Sequence, residues 1–204
     1  PADIALTNDK GLLLLESNYG PDPNSKKKNT EPVITSFSLS KFSVDGKRVY
    51  TNKIKLENKF LIKGKISITS KNELLLAGLF CNSSKLEEIT GFVLNKYDVS
   101  SGALVNSSEF IPPADIIKND EARKKVFGRD KTRDAMINNM RTPAIINNPV
   151  TNTTLLLTEF FSFNTSEFST GPSSANDYST NFTFLNGPLL FVDTDQNNQL
   201  SKIS

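Results

Sequence analysis

Asn72-Glu73-Leu74-Leu75-Leu76-Ala77-Gly78-Leu79-Phe80 is a short, almost unbroken apolar run between polar segments. A run of this kind suits a strand buried on both faces in the middle of a sheet. Before it, Lys65 to Ser70 alternates, with Ile66 and Ile68 set between polar neighbours, as in a half-buried strand. After it, beyond the polar stretch Asn82 to Glu88, Thr90 to Tyr97 alternates again. Ser100-Ser101-Gly102 then turns the chain into Ala103 to Phe110. The pattern predicts four sequential antiparallel strands of ordinary length.

The same phrase occurs elsewhere in the chain. The leucine-rich strand recurs as Gly11-Leu12-Leu13-Leu14-Leu15-Glu16 and as Thr154-Leu155-Leu156-Leu157-Thr158-Glu159. The following strand, which ends in a polar turn, recurs as Leu39 to Gly46 and Leu190 to Asn197, beside Leu94 to Gly102 in the middle copy. In the first copy Leu12 to Glu16 and Ile34 to Ser43 are strands. Val44-Asp45-Gly46 is the hairpin, because glycine accepts the positive φ of the turn, and Arg48 to Ile54 closes the copy. An opening strand is not expected there. The third copy runs through Ala144 to Asn147, Leu155 to Phe163, Leu185 to Val192 and Leu200 to Ile203, with Asn181 to Gly187 poor in strand formers.

Self-similarity of this kind marks a modular β architecture. Consecutive four-stranded meanders around a central apolar strand resemble the blades of a β-propeller. The predicted fold is all-β and propeller-like: about three antiparallel blades in an incomplete ring, with one helical insertion. The blades fall at about 1–62, 63–111 and 142–204, and the insertion at about 112–141. A β-sandwich or open meander of the same strands is the rival. Because closed propellers use at least about four blades, the chain is expected to be part of a longer one, or its ring to be completed by another subunit. In the insertion, Pro112-Pro113 breaks the strand, Asp115 can cap a helix through Lys125, and Asp130 can cap a second short one.

Composition narrows the function classes. With 204 residues, 37% hydrophobic and 23% charged, the chain reads as an ordinary globular protein with a substantial core. Its 24 basic and 22 acidic side chains leave a net charge of +2, which argues against a dedicated nucleic-acid binder. Lys26-Lys27-Lys28, between Pro23 and Pro32, reads as a solvated loop. No apolar run approaches the roughly 18 residues of a membrane span. The start at Pro1-Ala2-Asp3-Ile4, without Met or signal peptide, suggests a processed or excised chain. The single Cys81 excludes an internal disulfide and reads as an inert buried thiol. Without histidine, His-dependent triads and most transition-metal sites are excluded. Sequons such as those at Asn82, Asn152 and Asn181 are what so Asn-, Ser- and Thr-rich a chain gives by chance.

The run Asn72 to Phe80, then Gly91-Phe92-Val93-Leu94-Asn95-Lys96-Tyr97-Asp98, then a helical segment, then Leu155-Leu156-Leu157-Thr158-Glu159-Phe160 resembles a group of secreted bacterial β-propeller-repeat proteins of the Bacteroidetes type. The resemblance implies a propeller-like fold and an extracellular or periplasmic location. It carries no reaction and no cofactor onto any residue.

Three constellations are candidates for chemistry. Aligning the copies puts Glu16, Gly78 and Glu159 at one position, so two carboxylates could converge for acid–base hydrolysis or for a hard cation. Each Glu can equally end its strand in water. Asp193-Thr194-Asp195-Gln196-Asn197 resembles the opening of a calcium loop, with Asp193, Asp195 and Asn197 as alternating oxygen ligands. The expected glycine is Asn198, however, and the matching segments of the other copies are plain turns. Phe160, Phe161, Phe163 and Tyr178 lead an aromatic cluster that could stack on a sugar or grip a peptide, or could seal sheet packing. The expected function is therefore a non-catalytic binding or scaffold module for a protein, peptide or glycan. The alternatives are a hydrolase using Glu16 and Glu159, and a structural segment of a surface protein.

Overall fold

The computed structural model describes residues 1–21, 32–82, 90–111, 143–151, 153–169, 178–195 and 200–203. Every regular element among them is a strand, and together they form three four-stranded antiparallel sheets, each a meander in sequence order. Sheet 1 holds β1 (Asp3–Leu6), β2 (Leu12–Gly20), β3 (Val33–Phe42) and β4 (Arg48–Lys53). Sheet 2 holds β5 (Phe60–Ile68), β6 (Glu73–Cys81), β7 (Gly91–Asp98) and β8 (Leu104–Phe110). Sheet 3 holds β9 (Ala144–Asn148), β10 (Thr153–Ser169), β11 (Tyr178–Thr194) and β12 (Leu200–Ile203). The predicted helical insertion, with Asp115 and Asp130 as caps, lies outside the described residues, and no helix occurs among those described.

Two expectations need correction. The first copy does have an opening strand: β1 pairs with β2 from Asp3↔Leu15 to Leu6↔Leu12. The turn that permits it closes with Thr7 N–H donating to Gly11 O at 2.9 Å, and Lys10 takes a φ of 62°. In the third copy, strand continues through Asn181 to Gly187, because β10 and β11 pair as one hairpin from Leu155↔Asp193 to Ser169↔Tyr178. A continuous ladder outweighs the weak local preference of the Asn-rich segment. The hairpin at Val44-Asp45-Gly46 forms as expected, with Gly46 at a φ of 78° and its N–H donated to Ser43 O at 2.9 Å.

Sheet 2 lies between the other two, which explains the apolar run of β6. Leu74, Leu76 and Phe80 pack toward sheet 1 against Leu13, Leu15, Phe37 and Leu39. Leu75, Ala77 and Leu79, on the opposite face, pack with Leu156 and Val192 of sheet 3. All six of these β6 side chains are fully buried, since successive residues of a strand point to opposite faces and both faces here are covered. Cys81, at the end of β6, is buried as well. The opening strands adjoin, with β5 touching both β1 and β9, and β8 touches β12 at the far edge.

Polar bonds fix how the sheets sit on one another. The Asp3 carboxylate accepts from Ile66 N–H at 2.8 Å, and Asn147 Nδ2 donates to Ser67 Oγ at 3.0 Å. Asn52 Nδ2 donates to Ser101 O at 3.1 Å and Gly102 O at 3.0 Å, and Tyr50 OH donates to Val99 O at 3.3 Å. Sheet 1 thereby grips the turn between β7 and β8. Gly64 and Gly78, opposite each other in the β5–β6 ladder, leave a dent on the face of sheet 2 toward sheet 1. Leu61 and Leu15 fill it: a Cβ on Gly78 would lie 2.4 Å from Leu61 Cδ1, and one on Gly64 would lie 3.1 Å from Leu15 Cδ2.

The gripped turn also carries a pH signature. Asp98 Oδ1 accepts from Ser101 N–H at 2.8 Å and Ser101 Oγ at 2.7 Å, and also from Ser100. Its pKa is held down at about 2, chiefly by the Ser100 and Ser101 hydroxyls. A carboxyl whose folded pKa is depressed adds stability that is present above its unfolded value of about 4 and lost as pH falls through the folded one. Asp98→Asn keeps one accepting oxygen and removes the titration. Between pH 4 and 2 the thermal midpoint of the variant, followed by circular dichroism, is expected to fall less than that of the parent.

Candidate binding groove

The proposed carboxylate pair is not assembled. Glu16 shares its side of β2 with Leu12 and Leu14, opposite to Leu13 and Leu15, which face sheet 2. It therefore lies on the outer face of sheet 1, where its Oε2 accepts from Ser40 Oγ at 2.6 Å and Ser40 Oγ lies 2.9 Å from Thr51 Oγ1. In β10, Thr154, Leu156 and Thr158 are the buried side chains, and Leu156 packs on sheet 2. Glu159 alternates with them and lies on the outer face of sheet 3, opposite Leu189 in the ladder. Sheet 2 separates the two carboxylates.

The other candidates are placed as follows. Phe160, Phe161 and Phe163 belong to β10 and Tyr178 opens β11. The ladder sets Phe161 opposite Asn186, Phe163 opposite Phe184, and Tyr178 opposite Ser169, with a register shift at Phe160. Their side chains lie outside the described part of the structure. Asp193 pairs with Leu155 and Lys202 across its neighbouring strands and is exposed; Asp195 follows β11 and is half-buried; Asn197 lies outside the described residues. Among the described residues no group of three or more Cys, Asp or Glu is placed to hold a metal ion.

A groove that the sequence patterns did not single out forms where the chain crosses from sheet 1 to sheet 2. Its volume is about 260 Å³. Ile34, Thr35, Ser36 and Phe37 of β3 form one wall, Lys53, Ile54, Lys55 and Leu56 the next, and Lys59, Phe60 and Leu61 the third. The crossing is held by Ile54 N–H donating to Phe37 O at 2.9 Å and by a bridge between Leu56 and Lys59 around Asn58, which has a φ of 52°. Phe37, Ile54 and Leu61 are buried and belong to the core between sheets 1 and 2, so the floor is rigid and apolar. Phe60 presents a ring that is 38% exposed.

The rim is cationic. Lys53 and Lys55 are exposed, whereas Lys59 is ion-paired with Glu109 and sits 5.0 Å above the Phe80 ring. Among the described residues no carboxylate lines the groove. Thr35 Oγ1 donates to Asn18 O at 3.1 Å, and Ser36 Oγ accepts from Asn18 Nδ2 at 3.2 Å, which leaves the Ser36 hydroxyl proton to donate. The buried floor of Phe37, Ile54 and Leu61 faces sheet 2, whereas Ser36, which shares the Asn18 amide with Ser38, and Lys53, opposite Ser38 in the ladder, lie on the outer face of sheet 1. The sequence signal is Lys53-Ile54-Lys55-Leu56, an alternation that sends lysines one way and apolar side chains the other. No family model and no curated protein matches the chain.

Proposed function

We propose that the chain is a non-catalytic binding or scaffold module of an exported propeller-repeat protein, and that it binds through the groove between sheets 1 and 2. The groove carries this reading: it is a solvent-open cleft of about 260 Å³ with a floor of buried apolar side chains and an exposed ring at its edge. The stacking supports the propeller, since three meanders follow in chain order with their opening strands side by side. Further blades, from more of the chain or from another subunit, would cover the outer faces, where Ile4 and Leu6 on sheet 1 and Ile146 and Leu189 on sheet 3 are about half exposed or more.

The carboxylate pair of the hydrolase reading is not brought together. Glu16 is engaged by Ser40, and Glu159 lies two sheets away. Screening the labelled intact protein against carbohydrate and peptide arrays tests the binding reading. A saturable ligand is expected, and its absence from both arrays would reduce the chain to a scaffold.

A further inference from the structure

We infer that two copies of this chain close head to tail, the outer face of sheet 3 in each lying on the outer face of sheet 1 in the other; the inference rests on the propeller reading above. The leucine runs carry it. In β6 such a run is apolar on both faces because a sheet covers each of them. The runs in β2 and β10 are also apolar on both faces, yet among the described residues a sheet covers only one face of each. Leu13 and Leu15 pack on sheet 2 while Leu12 and Leu14 turn away from it. Leu156 packs on sheet 2 from the other side while Leu155 and Leu157 turn away. The ladders set Ile4, Leu6 and Phe42 around Leu12 and Leu14, and Ile146, Leu189 and Phe191 around Leu155 and Leu157. None of these side chains is buried, so each end of the stack shows a contiguous apolar patch of the sort that marks an interaction surface.

The two open faces are counterparts. Within the chain, the forward face of one sheet lies on the backward face of the next, and sheet 1 leaves a backward face open where sheet 3 leaves a forward one. A second copy therefore extends the packing already present between neighbouring sheets. The charges agree with that pairing. Arg48 and Lys53 stand on the outer face of sheet 1 with Glu16 as its acid, whereas Glu159 and Asp193 stand on that of sheet 3 with Lys202 beside Asp193 in the ladder. A basic excess thus meets an acidic one. Covering sheet 1 also leaves its polar groups bonded, since Asn18 Nδ2 donates to Ser36 Oγ and Ser38 Oγ, and Ser40 Oγ joins Glu16 to Thr51. A contact between unlike faces forms a ring where the rotation closes and a filament where it does not. With three sheets in each copy, a closed pair falls within the roughly four to eight blades of propellers.

The test is sedimentation equilibrium of the intact chain and of two variants, Leu6→Glu on sheet 1 and Leu189→Lys on sheet 3. Both positions are well exposed, at 70% and 52%, so each variant is expected to keep the parent's circular dichroism spectrum. The parent is expected to sediment as two chains of 22.5 kDa, with a dissociation constant in about the micromolar range. Each variant alone should sediment as one chain, because every contact in its pair would include an altered face. Mixing the two variants should restore a two-chain mass, because the unaltered sheet 3 of one then meets the unaltered sheet 1 of the other. A parent that stays a single chain overturns the inference, leaving the propeller reading to other blades and the groove to the arrays. Dissociation by only one of the two variants, which marks like faces joined, or a mass that grows past two chains overturns it as well. A two-chain parent that is open and elongated in small-angle scattering overturns both the inference and the propeller reading.

Discussion

Gly78→Glu is expected to leave no folded protein at room temperature. The repeat alignment places Glu at this position in both other copies, so the substitution makes the three phrases more alike. The packing forbids it. A Cβ at Gly78 would stand 2.4 Å from Leu61 Cδ1 and 2.7 Å from the main-chain oxygen of Lys63, and the rest of the side chain would enter the core between sheets 1 and 2. Leu61 can turn aside, but the Lys63 carbonyl belongs to the ladder and cannot. Overpacking alone costs about 1–3 kcal/mol, and an unpaired buried carboxylate costs several more, or is forced to protonate. The total rivals the roughly 5–15 kcal/mol that holds a typical domain together. Gly78→Ala isolates the steric part and is expected to lose about 1–3 kcal/mol in urea titration. A Gly78→Glu protein that melts cooperatively near the parent temperature would show that sheets 1 and 2 do not meet as described.

The same position shows how far the repeat could be read. Outside β1 and the middle of β11, strand identity and order were legible because the chain alternates or runs apolar as each strand needs, and because its turns carry the right residues, Gly46 and Gly102 at positive φ among them. The phase of the third copy was not. Leu13 and Leu75 face the following sheet, but Leu156, which the sequence aligns with them, faces the preceding one. The turns differ in length: five residues separate Leu6 from its partner Leu12 and Ile68 from Leu74, whereas four separate Asn148 from Thr153. A shift of one residue moves every side chain to the opposite face. Glu159 is thereby carried to the outside of sheet 3, and Thr154, Leu156 and Thr158 take the side that Gly78 holds in β6.

The groove was harder to read than the strands because it belongs to no repeat. Its walls come from β3, from the crossing 54–59 and from the start of β5, and each contributes residues unremarkable in their own segment. The alternation of Lys53-Ile54-Lys55-Leu56 tells which side chains turn inward, but what they turn toward depends on Phe37 and Leu61, which are distant in sequence and adjacent only once the sheets stack. Carboxylates drew attention for the opposite reason. Glu16 and Glu159 are conspicuous because each follows a leucine run, yet both lie within their strands, and conspicuous residues form a site only where topology makes them converge.

Phe80→Ala is expected to be the most damaging truncation in β6. The ring is fully buried on the side of the strand that faces sheet 1. Two neighbours are arranged around it. A Cβ on Gly91 would lie 2.9 Å from Phe80 Cζ, so β7 approaches as closely as glycine allows, and the Lys59 ammonium rests 5.0 Å above the ring centre. Removing the ring loses its transfer free energy and leaves a cavity that a sheet with both faces covered cannot collapse, a loss of about 3–5 kcal/mol. For a chain of this length that lowers the melting temperature by on the order of 10 °C. Phe60→Ala provides the contrast, since its ring is 38% exposed at the groove, and its loss should cost only about 1–2 kcal/mol. Equal destabilisation by the two truncations, read from parallel urea titrations, would mean that Phe80 is not the buried anchor between sheets 1 and 2.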